Sequence, residues 1–102
     1  MTKYINDSIK RLAKALILLE TEEECESLLD DLCTIKELQN MAQRLDTAIM
    51  ISRGVSYLEI SRKTGASTTT ISRVSRCYNY GDEGYKNIIR KMKEAGCIDE
   101  DQ

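Results

Sequence analysis

The sequence predicts an all-α protein of six helices that contains a helix-turn-helix. Proline is absent and β-branched residues form no alternating runs, so little opposes helices and little favours strands. Apolar residues recur at helical spacing through most of the chain. Glycines and capping residues divide this pattern into segments that together suit one domain, which we expect over residues 1–102.

The first helix is expected over about residues 4–20. Its apolar residues recur at helical spacing: Ile5, Ile9, Leu12, Leu16 and Leu19. Ile17 and Leu18 add apolar surface outside this stripe. One short chain has little with which to cover so much apolar surface, so we expect a second chain to cover part of it.

The second and third helices are each expected to begin with a capping box. The two boxes are Thr21 with Glu24 and Thr34 with Glu37. The third helix should run over about residues 35–53 and end at Gly54. Met50 and Ile51 widen its apolar stripe, and we expect this surface also to contribute to a dimer.

Three shorter segments follow. Ser56 is placed to cap a helix that ends before Gly65, and Ser67 is placed to cap the next. Residues 78–84 are expected to form a loop. The last helix should cover about residues 83–95.

Charge is distributed unevenly along the chain, whose formal net charge is -2. Residues 1–52 have a net charge of -4, residues 53–93 of +6 and residues 94–102 of -4. The acidic tail, residues 96–102, is expected to be frayed from residue 99 onward. The basic segment is the part of the chain able to neutralise phosphates.

Residues 56–78 have the features of a helix-turn-helix. Gly65 can take the positive φ that the turn needs, and Ile60, Ile71 and Val74 are spaced to pack its two helices. The opposite face of the second helix carries hydroxyls and guanidiniums, which suit phosphate oxygens and base edges. We therefore expect this helix to enter the major groove of double-stranded DNA. The predicted DNA-binding residues are Arg62, Lys63, Ser67, Thr68, Thr69, Thr70, Ser72, Arg73 and Arg76.

Two other classes of protein compete with this interpretation. A helical dimerisation or interaction module without specific DNA binding would be favoured if the arginines were missing from the exposed face of the second helix. This chain retains them. An enzyme is disfavoured, because the chain has no histidine, no glycine-rich phosphate loop and no catalytic pair of carboxylates. The five tyrosines could stack on single-stranded bases, but packing in the core or loops is favoured.

The cysteines indicate neither a metal site nor a disulfide. The four cysteines form no C-x-x-C pair, so no metal site or other cofactor is expected. Cys25 and Cys33 fall in phase with leucines, as small buried thiols would. No signal or membrane-spanning segment is recognised, and a cytoplasmic location is expected.

Extending outward from the helix-turn-helix, roughly residues 30–95 resemble the Trp repressor family, most closely its YerC/YecD-type Trp-repressor-like branch. The matching run is LDDLCTIKELQNMAQRLDTAIMISRGVSYLEISRKTGASTTTISRV. It shows the family's order of a capped helix, an Arg-Gly boundary and the helix-turn-helix. The resemblance implies an intertwined homodimer, formed by residues 1–53 and 83–95, that acts as a transcriptional regulator and most simply as a repressor.

The resemblance also implies a place for a small-molecule effector. In tryptophan-responsive members the corepressor lies between two arginines, whose positions Arg44 and Arg73 match. Those members have a glycine after the second arginine, whereas this chain has Val74, so tryptophan is not expected to bind. The alternatives are that Arg44 pairs with Asp46 or Glu37 and that Arg73 contacts phosphate only. The expected pocket for an effector of unknown identity is formed by Arg44, Arg73, Val74 and Cys77.

Overall fold

The structure is a computed structural model that describes residues 4–99. Within this range the chain forms six helices and no strand, which confirms the all-α prediction. The helices are α1 (Asp7–Ile17), α2 (Glu22–Leu32), α3 (Ile35–Ser52), α4 (Tyr57–Thr64), α5 (Thr68–Tyr80) and α6 (Gly84–Glu94).

Helix α1 is shorter at both ends than its apolar pattern predicts. The side chain of Asn6 accepts a hydrogen bond from the Ile9 N–H at 2.9 Å, so the helix begins just after Asn6. At the other end, the N–H groups of Leu18 and Leu19 donate to carbonyls three residues earlier. This tighter turn ends the helix before residue 20.

The two predicted capping boxes form, although they close differently. The Glu37 N–H donates to Thr34 Oγ1 at 3.1 Å, and the Thr34 N–H donates to Glu37 Oε1 at 2.8 Å. Thr21 Oγ1 accepts from the Glu24 N–H at 3.0 Å, but the Glu24 carboxylate accepts from the Glu20 N–H at 2.7 Å. Both arrangements satisfy N–H groups that a helix start would otherwise leave unpaired.

The chain divides into two compact units, residues 1–39 and 40–102. In the first unit, none of the described residues 4–39 is buried. Ile17 and Leu18 are 81% and 76% exposed, and the apolar stripe of α1 is about two-fifths exposed. The described part of this unit therefore has no closed core of its own. The assignment of residues 1–102 to a single domain stays a prediction.

The second unit contains two buried clusters. The first consists of Ala48, Ile49, Val74 and Ile89, and the second of Ile60, Ala66 and Ile71. Met50 and Ile51 are half-buried and pack against the second cluster. The chain covers these two residues only in part, so the expectation that they add dimer surface stays a prediction.

Helix α5 continues beyond the predicted start of a loop at residue 78. Tyr78 is half-buried against the first cluster, which favours another helical turn. The helix ends where the Gly81 N–H donates to the Cys77 carbonyl at 2.9 Å. A Cβ atom on Gly81 would lie 2.5 Å from that carbonyl oxygen, so this exit needs a glycine. The loop prediction was wrong for residues 78–80.

The end of the described chain is held by contacts with the rest of the second unit. Ile98 packs against the first buried cluster, and Arg53 Nη2 donates to the Asp99 carbonyl oxygen at 2.8 Å. Residue 99 was expected to be frayed, but its carbonyl is hydrogen-bonded. The rest of the predicted tail, residues 100–102, lies outside the described residues.

Candidate nucleic-acid interface

The helix-turn-helix forms where the sequence predicts it. Ser56 caps α4, and its Oγ accepts a hydrogen bond from the Glu59 N–H at 3.2 Å. Gly65 follows α4 with a φ of 78°, a left-handed conformation that glycine takes without steric cost. Gly65, Ala66 and Ser67 then connect the two helices as a three-residue turn.

Hydrogen bonds hold this turn from several directions. Ser61 Oγ donates to the Ala66 carbonyl at 2.8 Å, and the Ala66 N–H donates to Thr64 Oγ1 at 3.1 Å. From α3, Gln43 Nε2 donates to the Thr64 carbonyl at 3.1 Å. Sequence reasoning missed Gln43, because no local pattern relates it to a residue 21 positions away.

The apolar packing predicted between α4 and α5 is present, except that Ala66 takes the place expected for Val74. Ile60 and Ile71 are fully buried, together with Ala66 from the turn. Val74 is also buried, but it lies in the other cluster with Ala48 and Ile49 of α3. Helix α5 is thus held on two sides by core packing, and its remaining face is presented to solvent.

The exposed face of α5 carries most of the predicted DNA-binding residues. Ser67 Oγ accepts from the Thr70 N–H at 3.1 Å, which caps the helix. Thr70 is half-buried and its Oγ1 accepts from Ser67 Oγ at 3.2 Å, so it is less accessible than its neighbours. The exposed residues of this face are Ser67, Thr68, Thr69, Ser72, Arg73 and Arg76.

This face forms a shallow hollow of about 440 Å³. Its lining residues are Thr68, Thr69, Ser72, Arg73, Arg76 and Cys77. Neither Arg73 nor Arg76 belongs to the ion pairs seen among residues 4–99. Hydroxyls and unpaired guanidiniums are therefore brought together on one helix face, where they can donate hydrogen bonds to anionic oxygens or base edges.

The two predicted cations of α4 have a different environment. Arg62 Nε and Nη2 donate to the two carboxylate oxygens of Glu59 at 3.1 and 2.5 Å, and Lys63 Nζ lies 3.7 Å from Glu59 Oε2. The hydrogen bonds from Arg62 hold the pKa of Glu59 below its ordinary value, and Glu59 in turn raises the pKa of Arg62. Sequence reasoning missed Glu59, although its spacing of three and four residues from the two cations was a usable signal.

The residues expected to form an effector pocket face different surroundings. Arg73 and Cys77 line the hollow on α5, whereas Val74 is 1% exposed and lies in the core. Arg44 is exposed on α3. The ion pairs formed within residues 4–99 do not include it, so the alternative pairing with Asp46 or Glu37 is not present there.

The cysteines of the described chain are free thiols. Cys25 and Cys33 are half-buried, less than expected, while Cys77 and Cys97 are exposed. No cluster of three or more potential metal-ligating side chains is found in residues 4–99. Within the same range, no helix is both long and apolar enough to span a membrane.

Comparison with known proteins gives consistent matches along the chain. Residues 7–93 match the sequence profile of the family described as Trp repressor protein. The uncharacterized protein YerC of Bacillus subtilis (strain 168) is 46% identical over 93 residues, which cover 91% of this chain and 89% of YerC.

Solved structures give the same result for the fold. The crystal structure of a candidate Trp repressor from Staphylococcus aureus has a TM-score of 0.83 and 42% identity, covering 88% of this chain and 90% of the other. That of a TrpR-like protein from Eubacterium eligens ATCC 27750 has a TM-score of 0.83 and 37% identity, covering 96% and 98%. The resemblance inferred from the sequence is confirmed.

Proposed function

Because this chain belongs to the Trp repressor family, whose members are DNA-binding regulators and not enzymes, we propose that it is a sequence-specific transcriptional repressor. The observation that supports this most directly is the exposed face of α5. Its arginines are unpaired within the described chain, and its hydroxyls share one hollow with them. Repression would follow from occupation of an operator by the protein.

The proposed mechanism uses two kinds of contact, one with phosphates and one with bases. Arg73 and Arg76 bind backbone phosphates, which gives affinity for any duplex and a steep dependence on salt. Thr69 and Ser72 lie on the same face, where their hydroxyls can bind base edges and the threonine methyl can contact thymine. Core packing of Ile71 and Val74 holds the helix still while these contacts form.

We further propose that two copies of this chain form a homodimer in the cytoplasm. The apolar stripe of α1 is exposed, and no described residue in the first unit is buried. A second copy that covers these side chains would remove apolar surface from water and would present two recognition helices to half-sites about one helical turn apart.

A third part of the proposal concerns the effector. It is a small molecule other than L-tryptophan, or none is needed. Arg73 and Cys77 line an open hollow, but Val74 keeps a branched side chain where tryptophan-responsive relatives have glycine. Calorimetric titration with tryptophan should give no micromolar dissociation constant, and a micromolar value coupled to tighter DNA binding would overturn this part.

DNA binding is tested by selecting bound fragments from genomic DNA with the purified protein. The selected duplex should bind far more tightly than random duplex of the same length at moderate salt. Arg76→Ala should weaken binding to both duplexes, whereas Arg11→Ala, which removes the same charge from α1, should not. Thr69→Ala should cost about 1–3 kcal/mol on the selected duplex only, if Thr69 contacts a base edge.

Equal affinity for selected and random duplex would refute sequence specificity and would favour a helical interaction module. The homodimer is tested separately by sedimentation. A folded monomer that persists at micromolar concentration would refute the dimer without bearing on the contacts of α5, whereas a dimer should unfold at a temperature that rises with protein concentration.

A further inference from the structure

Glu59 occupies the closing position of a capping box, but its carboxylate is directed elsewhere. In the box formed by Thr34 and Glu37, the carboxylate of Glu37 accepts from the Thr34 N–H at 2.8 Å. In the matching box on α4, Ser56 accepts from the Glu59 N–H at 3.2 Å, while the Glu59 carboxylate accepts both of its hydrogen bonds from Arg62. Glu24, in the box of α2, accepts from the Glu20 N–H, so the same local pattern has three outcomes in one chain.

The difference lies in the cations that follow Glu59. Arg62 and Lys63 come three and four residues later, so both reach one carboxylate on the same side of α4. Their side chains are 70% and 53% exposed, and another anion can approach them. In the described chain, the arginines of the α5 face have no such counter-charge.

We propose that Glu59 is a positioning residue of the DNA-binding surface, which holds Arg62 and Lys63 in the free protein and yields them to duplex phosphates on binding. This inference rests on the proposed function. The three side chains together carry one net positive charge instead of two. Each phosphate contact must first displace the carboxylate, so Arg62 and Lys63 contribute less to binding of any duplex.

Release of the two cations does not leave Glu59 without a partner. The carboxylate can turn back to the Ser56 N–H and close the capping box as Glu37 does in its own box. Glu59 therefore lowers affinity for the phosphate backbone of every duplex, while base contacts from α5 are unaffected. The consequence is weaker binding to specific and non-specific duplex alike, with an unchanged ratio between the two affinities.

The size of the effect follows from the strength of exposed ion pairs. One such pair shifts an equilibrium by about 1.5- to 5-fold. Loss of both pairs should therefore tighten binding to any duplex by about two- to twenty-five-fold. The dependence of affinity on salt should also become steeper, because the surface that meets the phosphates then carries one more net positive charge.

The test compares Glu59→Gln with Glu37→Gln, each in the full-length protein. Both variants remove one negative charge from a capping box, and glutamine is accepted at this position, so both should fold. Affinities for random and selected duplex are measured at several salt concentrations. Glu59→Gln should tighten binding to random and selected duplex by the same factor and steepen the salt dependence, whereas Glu37→Gln should change neither.

A second background isolates the mechanism. In the Arg62→Ala/Lys63→Ala double variant, Glu59→Gln should have no further effect. If the effect persists there, or if wild-type protein binds DNA and the two glutamine variants behave alike, the role of Glu59 is overturned and the proposed function stands. If the wild-type protein binds no duplex at all, the proposed function fails and this role of Glu59 fails with it.

Discussion

Val74 provides the most direct test of how α5 is held. It is 1% exposed and packs with Ala48 and Ile49 of α3 and Ile89 of α6. The preceding residue, Arg73, lines the outward hollow. Val74→Gly therefore removes three carbons from the core of the second unit, in addition to giving the residue found in tryptophan-responsive relatives.

The cost can be estimated from two terms. Burial of a valine side chain contributes about 1.5–3 kcal/mol. Valine is itself a poor helix former, so glycine in its place inside α5 costs only about another 0.3–0.5 kcal/mol. The free energy of unfolding should thus fall by about 2–3.5 kcal/mol, which is a large part of the ~5–15 kcal/mol typical of a small domain. For a chain of this size, the thermal midpoint should drop by about 8–28 °C.

Urea unfolding at a fixed protein concentration measures this cost. Val74→Ala should show the packing term alone, and Ser72→Gly, at an exposed position of the same helix, should lose less than about 1 kcal/mol. If Val74→Gly is no more destabilising than Ser72→Gly, then Val74 does not hold α5 in place. If Val74→Gly instead stays folded and gains tryptophan binding, the two family arginines do frame a pocket.

Three further predictions concern the helix-turn-helix. Gly65→Ala and Gly54→Ala should each cost about 1–2 kcal/mol, because both glycines have φ near 78° and no close neighbour. Unfolding should show that the two variants lose equal stability. Duplex titration should show weaker DNA binding for Gly65→Ala alone, and an equal loss of DNA affinity in Gly54→Ala would contradict a specific role for the turn at Gly65. Ser67→Ala removes the cap of α5 and should lower stability by about 0.5–2 kcal/mol in the same unfolding assay, with no change expected if the cap is dispensable. The depressed pKa of Glu59 means that its ion pairs stabilise the protein fully above the ordinary carboxyl pKa and that this stabilisation is lost as the pH falls through the folded value. Carboxyl NMR titration should place the pKa of Glu59 higher in Arg62→Ala, and an unchanged value would remove Arg62 as the cause.

Local features of the fold were predictable because they depend on residues a few positions apart. A cap needs an acceptor three residues before a free N–H, and the caps at Thr34, Ser56 and Ser67 are all present. The turn at Gly65 follows from the one residue type that takes positive φ freely. The exposed face of α5 then follows from helical periodicity once its start is known.

Choices between competing partners were decided only by the tertiary structure. Periodicity placed Val74 on the inner side of α5, but the packing of α3 and α6 assigned it to the cluster with Ala48. Packing against the second cluster covers part of Met50, which the sequence alone did not indicate.

The sequence by itself determined the helices, the turn and the chemistry of the exposed face, because each depends on local backbone geometry. Only the tertiary structure decided which neighbours these residues meet. Gln43 reaches the Thr64 carbonyl because folding brings α3 beside the turn. Glu59, by contrast, chooses between two local partners, and its spacing to Arg62 was already visible in the sequence. The physical reason is that hydrogen bonds and packing are exclusive: each group takes the partner that the fold makes most favourable, and a one-dimensional pattern only lists the candidates.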